Sequence, residues 1–125
     1  MELAEIGKNI LTNCMNVKPG ENVLIVTDDE KYAIGQALYQ AAKLLKAEAM
    51  LMTMTAREVS GQEPPAVVAA AMKASDVVIC PMKTSITHTR AKIEAAEAGA
   101  RIATMPGITE EMFAMGAMTA DYSRV

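Results

Sequence analysis

Two short apolar runs, Val23-Leu24-Ile25-Val26 and Val77-Val78-Ile79-Cys80, constrain this chain more than any other feature. Each is rich in β-branched residues; the Pro19-Gly20 turn precedes the first, and the second is the heart of a third strand, "SDVVICPM" (75–82). An apolar run of this length without polar alternation reads as a strand buried on both faces. Such strands occur where helices cover both sides of a parallel sheet.

The segments between the runs fit that arrangement. Leu3, Ile6, Ile10 and Cys14 recur near the helical period, so residues 2–15 are expected to be a helix before the first strand. "KYAIGQALYQAAKLLKA" gathers Ile34, Ala37, Leu38, Ala41, Leu44 and Leu45 on one side, with Asp28 or Asp29 as its expected cap. "AEAMLMTMT" is a second strand, and its alternation of Met50, Met52 and Met54 with Leu51 and Thr53 suits an edge. Pro64-Pro65 opens a third helix reaching about Ala74, since proline is tolerated in a first helical turn. A fourth helix stops at Gly99, "ARIATMPG" is the fourth strand, and Thr109 caps a last helix carrying Glu110 and Glu111 in its first turn. The order α-βαβαβαβ-α predicts a single domain over 1–125 of the α/β class. It would be a doubly wound, four-stranded parallel sheet of order 2-1-3-4 with helices on both faces.

The formal net charge of −3, without a basic stripe, argues against nucleic-acid and anionic-membrane partners. No apolar run approaches the roughly 20 residues that cross a bilayer. Glu2 and Glu5 stand where a secretory leader would be basic. Cys14 and Cys80 lie in apolar contexts without C-x-x-C spacing, which suits thiols in a reducing compartment and a cytoplasmic location. Aromatic residues are few, and eleven methionines with many alanines carry the packing.

In an open parallel sheet, ligands bind beyond the carboxyl ends of the strands, where the strand order reverses. Here that brings together Thr27-Asp28-Asp29, the stretch from Pro81 to His88, and Met105-Pro106-Gly107. No G-x-G-x-x-G follows the first strand and no G-x-x-x-x-G-K occurs, so neither a dinucleotide nor a P-loop nucleotide is indicated. Lys83, Arg90 and Lys92 cluster at the start of the fourth helix, against the sense of its dipole. Together with the hydroxyls of Thr84, Ser85, Thr87 and Thr89, they would suit a small anion. The candidate substrate- or anion-binding residues are therefore Lys83, Thr84, Ser85, Thr87, His88 and Arg90.

A purely structural account competes with that one. Thr87 or Thr89 caps the helix, Arg90 pairs with Glu94, and His88, the one histidine, marks the helix entrance at a cleft rim. No metal ligand set and no catalytic residue is assigned, because His88 stands alone where zinc takes about three or four ligands. Nor does any serine sit on a G-x-S-x-G elbow.

"VKPGENVLIVTD" (17–28), "SITHTRAKIEAAEAGARIATMPGITEEMF" (85–113) and the closing Asp121-Tyr122 resemble the N-terminal domain of the aminopeptidase T/S family, the thermophilic-type metalloaminopeptidases. The resemblance implies an α/β N-terminal domain followed by a C-terminal domain. It also implies a usually dimeric, metal-dependent exopeptidase, and kinship with ring-cleaving dihydroxypyridine dioxygenases. The family's divalent metal (Zn, Co or Mn) belongs to the C-terminal domain, and these 125 residues end before that domain would begin. The expected function is to shape the substrate cleft and subunit contacts of such an enzyme without a metal centre or cofactor in this chain. The expected partner is a second copy or a C-terminal catalytic domain. A small-anion or metabolite-binding module and a dioxygenase-type relative are the alternatives.

Overall fold

The computed structural model describes residues 3–113. Helix α1 spans Leu3–Asn13, β1 Asn22–Asp28, α2 Tyr32–Leu44 and β2 Glu48–Met54. Helix α3 then spans Ala66–Lys73, β3 Val77–Met82, α4 Arg90–Glu97 and β4 Arg101–Pro106. All strand pairings are parallel and the sheet order is β2-β1-β3-β4, as the alternating pattern requires.

Both apolar runs are the central strands, and residues 23–26 and 77–80 are each no more than 1% exposed. Alternation along them feeds two cores. Val23, Ile25, Val77 and Ile79 pack with Ile6, Ile10, Leu11 and Leu38 of α1 and α2. Leu24, Val26, Val78 and Cys80 pack with Val68 and Met72 of α3 and Ala91 and Ala95 of α4. Each Val, Leu, Ile or Met side chain, once buried, contributes about 1.5–3 kcal/mol, so helices on both faces are what make uninterrupted apolar strands stable in water. The sheet is doubly wound, and β1 and β3 are the adjacent strands whose following helices leave to opposite faces.

Several local expectations need correction. The residue before α2 is Lys31, with no side-chain cap bond, so neither Asp28 nor Asp29 caps that helix. Pro65 is the N-cap residue of α3 and lies outside its first turn. Thr89, not Thr87, caps α4: its Oγ1 accepts from the Lys92 amide at 3.2 Å. Gly99 follows the end of α4 with φ +108°, a conformation that costs a glycine little. Thr109 Oγ1 accepts from the Met112 amide at 3.1 Å, as a cap would, and the following helix begins at residue 110. The rest of that expected helix, with Met115 and Met118, lies outside the described residues.

Candidate functional site

The carboxyl edge between β1 and β3 is built by Thr27 and Asp28, the last two residues of β1. Both are fully buried polar residues in a strand that is otherwise apolar along its buried length. Thr27 Oγ1 donates to the Pro81 carbonyl at 2.8 Å, joining the two central strands where their ladder ends. Asp28 Oδ2 accepts the Lys83 amide at 2.7 Å, while Oδ1 accepts the Glu30 and Lys31 amides at 3.0 Å each. A carboxylate without water needs such donors, and bonds to a charged acceptor contribute about 1.5–3 kcal/mol each. Asp28 thus fastens the β1–α2 turn to the β3–α4 loop across the reversal point. Gly35 allows α2 to come this close, since a Cβ there would lie 2.7 Å from the Cβ of Thr27. The end of β4 joins in, as the Gly107 amide donates to the Met82 carbonyl at 2.8 Å. The three loops expected to converge do converge.

Above this floor sit the candidate residues. Lys83 Nζ lies 3.3 Å from Glu30 and 3.9 Å from Glu58, bridging loops that leave to opposite faces. The hydrogen bond to Glu30 and the charges of Glu30 and Glu58 hold the lysine above its ordinary pKa. Ser85 and Thr87 form a hydroxyl chain: Ser85 Oγ donates to Thr87 Oγ1 at 2.9 Å, and Thr87 Oγ1 meets Thr104 Oγ1 at 3.1 Å. Thr84 is half-buried, and its side chain makes no hydrogen bond among the described residues. His88 is exposed in the turn before α4 and makes no side-chain bond or ion pair among the described residues. Arg90 is exposed too; the ion pairs of the described residues are Lys83–Glu30, Lys83–Glu58 and Arg101–Glu21, so the expected Arg90–Glu94 pair does not form.

The amino end of α4 already holds an anion, supplied by the chain itself. Glu63 Oε2 accepts the Arg90 amide at 2.7 Å and Oε1 the Ala91 amide at 3.2 Å. With Thr89 taking the Lys92 amide, the first turn of α4 is satisfied by side chains. The β2–α3 loop carrying Glu63 is docked at further points. The Gly61 amide donates to the Ser85 carbonyl at 2.9 Å, and Ser60 Oγ accepts the Ser85 amide at 3.2 Å. Arg57 Nη2 donates to the Glu63 carbonyl at 3.3 Å, whereas Arg57 Nε is buried without a partner among the described residues. Glu63 carries no local signal in the sequence, because the amides it holds lie 27 and 28 residues further along the chain.

Among the described residues, no three His, Cys, Asp or Glu side chains come together as metal ligands would. A hollow of about 100 Å³ beside the edge, lined by Glu30, Lys31, Ala33, Ile34, Ile108 and Glu110, is well below the roughly 300 Å³ of a small-molecule pocket. A groove of about 630 Å³ along α1 and α2 has one ionisable lining residue, Glu110, and a third hollow of about 300 Å³ lies at the amino edge beside Cys14 and Arg101. Cys80 is buried on the α3–α4 side, and burial pushes its thiol up to about 12, so it remains protonated. No helix of the described residues is long and apolar enough to cross a membrane.

These features define a doubly wound α/β domain whose carboxyl edge is bound up by its own side chains. No family sequence profile matches the chain. No curated protein matches it either. Among solved structures it is similar to 2,5-dihydroxypyridine dioxygenase from Pseudomonas putida KT2440, at 17% identity and a TM-score of 0.67, over 83% of this chain and 33% of that one. It is also similar to wild-type aminopeptidase T (AmpT) from Thermus thermophilus, at 11% identity and a TM-score of 0.54, over 96% of this chain and 41% of that one. The chain spans 33% and 41% of the lengths of these two proteins, and at such identities the likeness establishes the shared fold.

Proposed function

We propose that these residues form a non-catalytic α/β module of an aminopeptidase T-like metal-dependent exopeptidase, shaping the substrate cleft and subunit contacts while another domain holds the metal. The saturation of the carboxyl edge carries this reading: Asp28, Thr89 and Glu63 each spend their acceptors on backbone amides of the same chain. Groups committed in this way position loops; a general base or metal ligand would need an acceptor facing the reacting atom. The likeness to part of aminopeptidase T over 96% of the chain supports the same reading, together with the 85–113 sequence pattern. A reducing, cytoplasmic setting suits a protein whose buried Cys80 is kept as a thiol.

The test is direct. Residues 1–125 with added zinc, cobalt or manganese should release no amino acid from aminoacyl anilides, and zinc should leave the melting temperature unchanged. Metal-dependent turnover above a protein-free blank would contradict the reading.

Arg57 Nε, buried beside Glu63 without a partner among the described residues, favours a second reading, in which a small anion is captured at the start of α4 in place of the Glu63 carboxylate. Inorganic phosphate should then raise the melting temperature, and the double variant Lys83→Ala with Arg90→Ala should abolish the rise. A melting curve indifferent to phosphate would eliminate this reading.

A further inference from the structure

The loop between β2 and α3, residues 55–65, runs from the end of β2 past β1 to the segment that follows β3. Beside β1 its Ala56 amide donates to Asp29 Oδ1 at 3.1 Å. The ties that residues 58–63 make to other elements all land on the β3–α4 loop and the first turn of α4. Glu58 reaches Lys83, Ser60 and Gly61 hold the Ser85 backbone, and Glu63 holds the Arg90 and Ala91 amides. The loop therefore lies across the reversal point between β1 and β3, where a doubly wound sheet takes its ligands.

This crossing segment is fastened only from the surface. Residues 58–63 are all exposed, Val59 at 66%. Pro64 is the single buried residue between Thr55 and Pro65, so little apolar area opposes release. Closure also leaves a charged donor dry, because Arg57 Nε is buried without a partner among the described residues, and hydration would relieve it. The stretch is closed on itself: Arg57 Nη2 donates to the Glu63 carbonyl and the Gln62 amide to the Val59 carbonyl, each at 3.3 Å. Beneath it the floor has separate fastenings. The bonds from Thr27 to Pro81, Asp28 to Lys83 and Thr89 to Lys92 involve no residue of the loop.

We propose that residues 57–63 are a releasable strap, which leaves the carboxyl edge as one piece while the sheet stays folded and so uncovers the reversal point. Release frees the Ser85, Arg90 and Ala91 amides together, and gives Arg57 to water. The closed strap is an autoinhibitory contact, with the chain's own Glu63 carboxylate standing at the positive end of α4. This movement goes beyond the exopeptidase reading and does not depend on it, since the metal assay above is blind to strap opening.

Native-state hydrogen exchange of residues 1–125 at low urea tests the strap. The Gly61, Ser85, Arg90 and Ala91 amides should share one opening that is insensitive to urea, with protection about tenfold or more below that of Ile25. The Lys83 amide, held by Asp28, should stay with Ile25. Gly61 has φ +89° and no atom within 4 Å of where a Cβ would stand, so Gly61→Ala strains the closed backbone without a clash. It should speed exchange at Ser85, Arg90 and Ala91 alike, roughly fivefold or more. Glu63→Ala runs the same test in reverse and serves if the Gly61 variant does not fold. It should speed exchange at Ser85, whose own hydrogen bonds it leaves in place. Protection of these amides equal to that of Ile25, a Gly61→Ala effect confined to Ser85, or a Glu63→Ala effect confined to Arg90 and Ala91 would each overturn the proposal.

Discussion

The two ends of the sheet are tied by opposite means. At the carboxyl edge the innermost ties come from covered side chains: Thr27 and Asp28 are both fully buried, and their bonds join β1 to β3 at the reversal point. At the amino edge the ties lie at the surface. Asp76 Oδ2 accepts the Asn22 amide at 2.8 Å in an exposed contact, and Arg101 reaches Glu21 Oε1 at 2.6 Å with its side chain 43% exposed. Buried polar bonds are worth the desolvation of every group they satisfy, whereas exposed ones compete with water. The carboxyl edge should therefore be the rigid end of the molecule and the amino edge the tolerant one.

That comparison breaks most readily at Asp28. Asp28→Ala strands the Glu30 and Lys83 amides at the strand reversal, leaves the Lys31 amide only the Asp28 carbonyl at 3.2 Å, and should destabilise the chain by about 3 kcal/mol, read from urea unfolding. Gly35→Ala should cost roughly 1–3 kcal/mol, because the added methyl must displace Thr27 and loosen its bond to Pro81. Glu63→Ala removes the surface cap of α4 and should cost about 1 kcal/mol, with faster hydrogen exchange at the Arg90 and Ala91 amides.

The smallest effect belongs to the amino edge. Its hydrogen bond to Arg101 holds the Glu21 carboxyl below the ordinary value of 4.5. A carboxyl with a depressed folded pKa contributes stability above its unfolded value, and loses it as pH falls through the lowered folded one. Melting temperatures below pH 4.5 should thus fall slightly more steeply for the unaltered chain than for Arg101→Gln.

The sequence reading reached the element order, the sheet order and the edge position of β2, because burial on two faces leaves a pattern that is local in the chain. Val23–Val26 needs no partner to be recognised as a central strand. The site was legible only in its place. The convergence of 27–29, 81–88 and 105–107 follows from parallel topology, and Lys83, Ser85 and Thr87 do meet neighbours there. What each group does depends on contacts far apart in sequence. Asp28 looked like a helix cap because its partner at Lys83 lies 55 residues away. Glu63 had no local signal at all. An acid near Pro64-Pro65 is unremarkable until the loop is laid across the start of α4.

At the carboxyl edge, Asp28, Thr89 and Glu63 hold backbone amides of their own chain. Hydrogen exchange of the Lys83 amide tests this most directly, since that N–H points at Asp28 Oδ2 across the strand reversal. In the unaltered chain it should exchange only through global unfolding, at the rate of central-strand amides such as Ile25, and in Asp28→Ala it should exchange by local opening. A Lys83 amide that exchanges in the unaltered chain as quickly as a solvated loop would contradict the account.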